Sequence, residues 1–339
     1  MDTTFILVSS VIILALGFDF TNGFHDAANA IATSVSTRAW TPKKALLVAA
    51  IMNIVGAMLG TEVAKTIGSG IITPDPTNHG LVVILAALVG AIVWNIITWW
   101  LGLPSSSSHA LIGGLIGAGV VAGSHVAWSN IIFVVVIPMV ISPIIGFTLA
   151  YIVMILAMLV FRNRPYHSTM RKARRFQWLS SSAIALGHGL QDAQKTMGVI
   201  VLALIAAGYH GPDANGQLSI PFFVKLAAAL AISLGTYAGG FRIIRTLGRK
   251  VIQVNPMRGV VAESVSSMIL YLSAYIFHAP ISTTHTITAS IMGVGATKKF
   301  SAVRWGVAGN IVVAWVLTLP ASALVASICY HLLHYIFPL

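Results

Sequence analysis

The segment Gly23-Phe-His-Asp-Ala-Ala-Asn29 recurs 166 residues later as Gly189-Leu-Gln-Asp-Ala-Gln-Lys195. The two segments align Asp26 with Asp192, and each lies in a long apolar stretch. Four further matches follow in the same order, at offsets of 176 to 180 residues. Matches spread over both halves of a chain indicate two copies of one structural unit. They pair 65–68 with 245–248, 104–109 with 280–285, Trp128 with Trp305, and Pro143 with Pro320.

The composition indicates that both copies are embedded in lipid. Of the 339 residues, 57% are hydrophobic and only 8% are charged, whereas roughly a quarter are charged in an average soluble domain. The single cysteine, Cys329, allows no intrachain disulfide, which excludes a secreted disulfide scaffold. The net charge of +12 comes from short basic clusters between apolar spans and therefore does not indicate a nucleic-acid partner. We therefore predict an all-α polytopic protein of the cell membrane.

The basic clusters predict the topology, because cytoplasmic loops carry an excess of Lys and Arg. Of the 20 Lys and Arg residues, 17 lie in four clusters, which we assign to the cytoplasm. The intervening connections contain Asp75 and Asp213 but no Lys or Arg, so we assign them to the outside. The cytoplasmic clusters lie at 38–44, 162–175, 242–258 and 298–304, and the outer connections at about 70–80, 122–128 and 208–220.

The assigned cytoplasmic clusters and outer connections predict about ten net membrane crossings, five in each half, with both chain termini outside. Because five is odd, the second copy is expected to be inverted relative to the first, as in many secondary transporters. We divide the chain into a first repeat at 1–161, a basic cytoplasmic linker at 162–177 and a second repeat at 178–339.

Four segments exceed the roughly 20 residues needed for one crossing, so we expect broken or re-entrant helices in them. These are 4–37, 129–161, 178–208 and 305–337, with candidate breakpoints at Gly17, Gly23, Pro138, Pro143, Gly187, Gly189 and Pro320.

Carboxylates within apolar spans are the first candidates for chemistry. The chain has only eight acidic residues, and Asp19, Asp26, Glu62, Asp192 and Glu263 lie in or beside such spans. Burying a carboxylate at the bilayer centre costs on the order of 3 kcal/mol or more, so such residues often mark ion or proton paths. His25 adjoins Asp26 and can change charge near neutral pH, which favours protons over an alkali cation. The hard oxygen ligands of this set are Asn22, Asp26, Asn29, Gln191, Asp192 and Gln194.

Two hydroxyl-rich segments predict helix starts that can hold an oxyanion. Pro104-Ser-Ser-Ser-Ser-His109 and Pro280-Ile-Ser-Thr-Thr-His285 each open an apolar stretch, with the Pro and the capping hydroxyls expected at a helix start. The free N–H groups of a helix start attract anions, although ordinary capping explains the pattern too. Lys195 is expected to pair with Asp192 or to meet the anion, and we interpret His109, His188 and His285 as packing residues. The candidate anion ligands are Ser105, Ser106, Ser107, Ser108, Ser282, Thr283, Thr284 and Lys195.

Three motifs in order closely resemble signatures of the inorganic phosphate transporter family, of the bacterial low-affinity Pit type. They are Asn22 to Thr33, His188 to Gly198 and Pro280 to His285. The resemblance implies uptake of phosphate with protons or sodium, in some bacterial members as a neutral metal-phosphate complex. It also implies inverted repeats and, often, a homodimer.

By position, the resemblance places the family's paired aspartates on Asp26 and Asp192, and a functionally important glutamate on Glu263. Many members have Asn before each aspartate, where this chain has His25 and Gln191. Eukaryotic members have a Glu where this chain has Lys65. These departures argue against a sodium site like theirs and leave proton coupling as the prediction.

The predicted function is therefore secondary active import of phosphate, coupled to a proton or another cation by alternating access, with one repeat rocking against the other. No enzymatic activity, resident metal or cofactor is expected, and the partners are phosphate, the coupling cation and membrane lipid. A sulfate or other oxyanion symporter of the same fold is the first alternative. A membrane-embedded hydrolase that uses His25 and Asp26, or a channel, represents a different class.

Overall fold

The structure is a computed structural model that describes residues 2–211 and 218–336. Asp213 of the predicted outer connection lies outside the described residues, as do Met1 and residues 337–339. The first half contains α1 (Thr3–Ser36), α2 (Pro42–Met58), α3 (Glu62–Gly70), α4 (Asn78–Leu101), α5 (Ser107–Val121) and α6 (Trp128–Phe161). The second half contains α7 (Tyr166–Ala206), α8 (Phe222–Ala238), α9 (Phe241–Lys250), α10 (Pro256–Phe277), α11 (Thr283–Ala296) and α12 (Trp305–Ile336).

Apolar helices of membrane-spanning length confirm the multi-pass helical class. In the described residues, five single helices are long and apolar enough to cross a bilayer, namely α1, α4, α6, α10 and α12. Two bent helix pairs raise this number to as many as seven. Two short strands, β1 (Ile72–Thr73) and β2 (His125–Val126), form an antiparallel ladder beside α5. The predicted ten crossings and the inversion of the second repeat stay predictions.

The helix breaks do not occur at the predicted positions. Helix α1 continues through Gly17 and Gly23, and α7 continues through Gly187 and Gly189. Pro143 and Pro320 likewise lie inside α6 and α12, and Pro138 does not interrupt α6. The sharp bends lie instead between α2 and α3, at 72°, and between α8 and α9, at 59°. The second bend contains Gly239, whose φ of 81° is readily available only to glycine.

Close helix contact explains the motif glycines that we took for breakpoints. A Cβ on Gly23 would lie 2.3 Å from the carbonyl oxygen of Ile232 in α8. A Cβ on Gly189 would lie 2.3 Å from the carbonyl oxygen of Asn53 in α2. Small residues allow two membrane helices to approach this closely. The two glycines therefore have equivalent roles in the two halves. Gly23 allows α1 to pack closely against α8, and Gly189 allows α7 to pack closely against α2.

Helices from the first half of the chain pack mainly against helices from the second half. Helix α1 packs against α8 and α2 against α7, so these four helices, two from each half, form one bundle. Outside it, α5 packs against α12 and α6 packs against α11. Most of the extensive helix contacts thus join one half of the chain to the other. The halves are interleaved, which the sequence did not indicate.

The predicted basic linker at 162–177 is helical from Tyr166 and continues without a break into the second half as part of the 41-residue helix α7. The centre of the fold lies around α7 and α1, where residues 187–204 and 25–34 are all buried. Polar side chains in these two stretches must therefore find partners within the protein.

Candidate functional site

Polar side chains of α1 and α7 meet at three successive levels. The two helices are in contact and antiparallel, because Thr37, directly after α1, donates to Gln177 of α7 while Asp26 approaches His188. The polar residues of α1 recur every three or four positions and so share one face. Seven helical residues rise about 10 Å, which separates the Asp19 level, the Asp26–Asp192 level and the Glu263 level. The α1 residues on this face are Asp19, Asn22, Asp26, Asn29 and Thr33.

The middle level brings the two repeated aspartates together, as the alignment of the halves predicted. One ligand atom each of Asp26, Asp192 and His188 lie within 4.8 Å of one another. His188 Nε2 lies 3.1 Å from Asp192 Oδ2 and 4.0 Å from Asp26 Oδ2. His25 Nδ1 lies 2.6 Å from Asp26 Oδ1. All four side chains are at most 3% exposed, so the cluster is closed to solvent.

Both hydroxyl-rich helix starts reach this cluster. Ser106 Oγ accepts a hydrogen bond from the His109 N–H at the start of α5, and Ser282 Oγ accepts one from the His285 N–H at the start of α11. These two hydroxyls therefore cap their helices, as ordinary helix starts do. The hydroxyls that follow them face the carboxylates instead. Ser107 donates to Asp26 at 3.4 Å, Thr284 to Asp26 at 3.2 Å, and Thr283 to Asp192 at 3.1 Å.

Lys195 links the carboxylates to both helix starts. Its ammonium group forms an ion pair with Asp192 and donates to the hydroxyl of Ser108. It also donates to the carbonyl oxygen of Ile281 at 3.0 Å. The expected pairing with Asp192 is therefore present, and the same group lies among the candidate anion ligands.

The charges of the middle level nearly cancel. Two carboxylates face one ammonium group and two helix N-termini, each of which acts as roughly half a positive charge. The histidines add charge only when they are protonated. A phosphate that enters this level therefore brings negative charge for which the cluster itself holds no further fixed cation.

Other predicted residues surround the middle level or lie away from it. Asn29 donates to Thr284 at 2.8 Å, and His25 Nε2 lies 3.3 Å from Ser105 Oγ. Gln191 donates to the carbonyl oxygen of Leu270 at 3.2 Å. Asn22 lies at the Asp19 level, next to Asp19 and Thr196.

Gln194 caps a helix, so the structure does not bring it into the cluster. Its Oε1 accepts from the N–H groups of Val63 and Ala64, at 2.9 and 3.3 Å, at the start of α3.

Glu263 of α10 forms a level of its own. Thr33 and Ser180 each donate to its carboxylate in short hydrogen bonds, and Gln177 donates at 3.2 Å. The side chain is fully buried. The carboxylate therefore joins α1, α7 and α10, and it lies away from Asp26 and Asp192.

The three levels together form a polar column along α1 and α7. Sequence reasoning missed the role of one residue in this column, His188. The sequence predicts a packing role for His188, yet its Nε2 lies within 4.0 Å of a carboxylate oxygen of both aspartates. The signal that could have found it is its position four residues before Asp192, on the same helix face. His109 and His285 do pack, with ring centroids 4.7 Å apart and His285 stacked on Trp315.

Comparison with known proteins places this geometry in a family. The profile of the phosphate transporter family matches twice, at residues 22–173 and 162–326. A protein of Bacillus subtilis (strain 168), named a probable low-affinity inorganic phosphate transporter, is 46% identical over 338 residues, covering 99% of this chain and all of the relative. A protein of Rhizobium meliloti (strain 1021) with the same name is 48% identical, covering 97% of this chain and 98% of the relative.

A solved structure described as the sodium-dependent phosphate transporter matches with a TM-score of 0.88 and 25% identity. The match covers 98% of this chain and all of that one. These relatives are named as transporters and not as enzymes, which confirms the prediction of a transporter over a hydrolase. With its membrane-spanning helices, the chain is a multi-pass membrane protein. It belongs to the phosphate transporter family.

Proposed function

We propose that this protein imports inorganic phosphate across the cell membrane, coupled to protons or another cation. The observation that carries the proposal is the meeting of two helix starts, α5 and α11, at the paired carboxylates Asp26 and Asp192. Helix starts with adjoining hydroxyls and a lysine can hold a tetrahedral oxyanion.

Phosphate binding requires the hydroxyls to change partners. Ser107, Thr283 and Thr284 now donate to carboxylates. When a proton or cation neutralises Asp26 or Asp192, these donors and Lys195 become available for phosphate oxygens. The carboxylates and the anion thus compete for the same donors, which links cation uptake to phosphate uptake. The remaining proposed phosphate ligands are Ser105, Ser106, Ser108 and Ser282.

Protons are our preferred coupling ion at the middle level. His25 and His188 both lie within ion-pairing distance of the carboxylates, and imidazole is a side chain that commonly relays protons in proteins. Each net positive charge carried inward gains roughly 2.3 kcal/mol per 100 mV of membrane potential. One or two coupled cations can therefore drive accumulation of an anion. The proposed ion ligands extend to Asn22, Asn29, Gln191 and Glu263, and this role stays a prediction for all four.

Alternating access is the proposed mode of transport, since the carboxylates are closed to solvent and must open to each side in turn. The interleaved halves change which units can move. The bundle of α1, α2, α7 and α8 carries the carboxylates, while α5 and α11 supply the hydroxyls from outside it. We propose that this bundle moves against the surrounding helices. The same proposal includes inverted repeats, which the reciprocal packing of the two halves supports. It also includes chain termini on the outside and a homodimer in the lipid bilayer.

One observation favours a metal-phosphate complex as the cargo. Asp26, His188 and Asp192 present three ligand atoms within 4.8 Å of one another, beside the proposed phosphate ligands. Carboxylate and imidazole ligands suit a divalent cation. Addition of Mg²⁺ or Mn²⁺ should then raise the uptake of labelled phosphate. If neither ion changes the rate of uptake, the transported species is free phosphate.

The test is uptake of labelled phosphate by proteoliposomes under an imposed proton gradient. We expect the unchanged protein to accumulate phosphate and Asp26→Ala and Asp192→Ala to abolish uptake while remaining in the membrane. Asp75→Asn, at an exposed carboxylate, is the matched control and should keep full uptake. Uptake by Asp26→Ala at the normal rate would overturn the proposal. Equal inhibition by excess sulfate would favour the oxyanion alternative, and equilibration without accumulation would favour a channel.

A further inference from the structure

Basic side chains gather where three membrane-spanning helices end on one side of the protein. Helix α6 ends at Phe161, α10 begins at Pro256 and α12 begins at Trp305. Two cavities lie among these helix ends, and Arg258 lines both of them. The larger cavity, of about 320 Å³, is also lined by Arg162 and Arg164, and the smaller, of about 220 Å³, by Lys298, Lys299 and Arg304. We call these six residues the basic patch.

The basic patch has no carboxylate to balance its charge. Across residues 2–211 and 218–336, none of its six members forms an ion pair with Asp or Glu. The sequence has no acidic residue within 162–175, 242–258 or 298–304. Membrane topology alone explains an excess of exposed Lys and Arg in cytoplasmic loops. It does not explain why these residues line two cavities, which are concave sites of the kind that hold a ligand.

Arg258 is the member whose position topology does not explain. It is half-buried in the first turn of α10, where the positive end of the helix dipole disfavours a cation. Its Nη1 donates to the carbonyl oxygen of Gln253 at 3.1 Å, while its Nε is buried and has no hydrogen-bond partner. A buried donor left without an acceptor is unfavourable. An anion bound beside Arg258 compensates both the guanidinium charge and the helix start.

The apolar part of the lining favours a phospholipid over a free anion. The larger cavity combines its arginines with apolar side chains at the end of α6, among them Met154 and Phe161. At the start of α12, Trp305 stacks on the exposed Phe300 with ring centroids 4.5 Å apart. Exposed aromatic side chains at a helix end are typical of the membrane–water interface. Basic pockets between membrane helices at this depth bind lipid headgroups, and guanidinium groups bind phosphate oxygens in a bidentate manner.

We propose that the basic patch binds the headgroup of an anionic phospholipid, with the lipid phosphate at Arg258 and an acyl chain along α6. The site lies away from the proposed phosphate pocket. Thr283 at the start of α11 and Gly295, which lines the smaller cavity, are twelve residues apart, about 18 Å along the helix. The bound lipid joins the ends of α6, α10 and α11, so it stabilises the folded protein. This inference does not depend on the proposed transport of phosphate.

The first experiment measures thermal unfolding of the delipidated protein in detergent, with phosphatidylglycerol, phosphatidylcholine or inorganic phosphate added. We expect phosphatidylglycerol to raise the Tm, and phosphatidylcholine, whose headgroup has no net charge, to have little effect. In Arg258→Gln, the phosphatidylglycerol concentration for half of the shift should rise about tenfold or more, because a charged hydrogen bond is lost. Arg174→Gln removes an exposed charge that lines neither cavity, so this matched control should respond like the unchanged protein.

A double variant at exposed positions, Lys298→Gln/Lys299→Gln, tests the same site and decides the matter if Arg258→Gln does not fold. It should raise the phosphatidylglycerol concentration for half of the shift severalfold, because two attractive charges are lost. The second experiment counts bound lipid by native mass spectrometry after addition of phosphatidylglycerol. The unchanged protein and Arg174→Gln should each retain one lipid molecule more than Arg258→Gln.

Two results would overturn the inference. One is that phosphatidylglycerol and phosphatidylcholine act alike, or that the variants at Arg258 and at Lys298 and Lys299 respond like the unchanged protein. The other concerns the source of the phosphate group. If phosphatidylglycerol causes no shift, but the shift caused by inorganic phosphate is smaller in Arg258→Gln than in Arg174→Gln, the basic patch binds free phosphate instead of a lipid.

Discussion

Asp19 and Glu263 lie at opposite ends of the same polar column and have opposite surroundings. Both side chains are fully buried. Glu263 accepts hydrogen bonds from Thr33, Ser180 and Gln177. Asp19 has Thr196 and Asn22 beside it, but neither forms a hydrogen bond of good geometry with it. Burial alone therefore does not reveal what a membrane carboxylate does. A carboxylate with well-formed hydrogen bonds from several helices holds those helices together, whereas a carboxylate with poorly aligned neighbours contributes less to stability.

The largest expected effect on the free energy of unfolding comes from removing the lysine that pairs with Asp192. Lys195→Met removes the ammonium partner and leaves a buried, uncompensated carboxylate. We expect the free energy of unfolding to fall by about 3–5 kcal/mol, measured by denaturant unfolding in detergent. The double variant Asp192→Asn/Lys195→Met removes both charges and should recover most of that loss. Unchanged stability of the single variant would contradict the ion pair.

A second, smaller effect is expected when Glu263 loses its charge. Glu263→Gln places an amide N–H₂ group among side chains that donate to the carboxylate, so at least one hydrogen bond is lost. We expect a decrease of about 1–3 kcal/mol in the free energy of unfolding. If Glu263 also carries a coupling ion, proton-driven uptake should fall further than the loss of folded protein explains. Unaltered stability would show that the three donors do not hold the carboxylate.

The same change at Asp19 should have the opposite sign. Asp19→Asn replaces a buried carboxylate that lacks a well-formed hydrogen bond with an amide that can donate to the oxygens beside it. We expect the free energy of unfolding to rise by about 1 kcal/mol, seen as a higher Tm. A loss of stability would mean that Thr196 and Asn22 stabilise the Asp19 carboxylate effectively, and the contrast with Glu263 would disappear.

The smallest effect separates two threonines of the column. Thr33 donates to Glu263, whereas Thr196 lies beside Asp19 without forming a hydrogen bond of good geometry. We expect Thr33→Val to lower the free energy of unfolding by about 1 kcal/mol. Thr196→Val should change it by less than about 0.5 kcal/mol. Equal effects of the two substitutions would argue against different roles for the two levels.

Much of the middle level could be predicted from the sequence, because the chain repeats itself. The alignment of Asp26 with Asp192 predicted two carboxylates in equivalent positions, and the structure places them side by side. The hydroxyl-rich segments after Pro104 and Pro280 predicted helix starts, and α5 and α11 begin there. Local composition determines these features, so they can be read along the chain.

Features that depend on distant contacts could not be predicted. Gly23 resembled a helix breaker, but its role is set by the Ile232 backbone more than 200 residues away. Gln194 resembled an ion ligand, yet the start of α3 determines what it binds. The family resemblance distinguished Glu263 from Asp19 as functionally important, but it did not indicate which of the two carboxylates accepts well-formed hydrogen bonds. Only the packing of α1, α7 and α10 decides which of the two carboxylates meets donors.

The interleaving of the two halves has a consequence for how the protein is made. While the ribosome has produced only residues 1–161, α1 and α2 lack α8 and α7, and α6 lacks α11. The newly inserted helices therefore lie in the bilayer without their packing partners, and Asp26 lacks the hydrogen bond that Thr284 donates to it in the complete protein. Assembly is complete only when synthesis approaches the carboxyl terminus. A truncated product should consequently be recognised by quality-control proteases, even when its first half is intact.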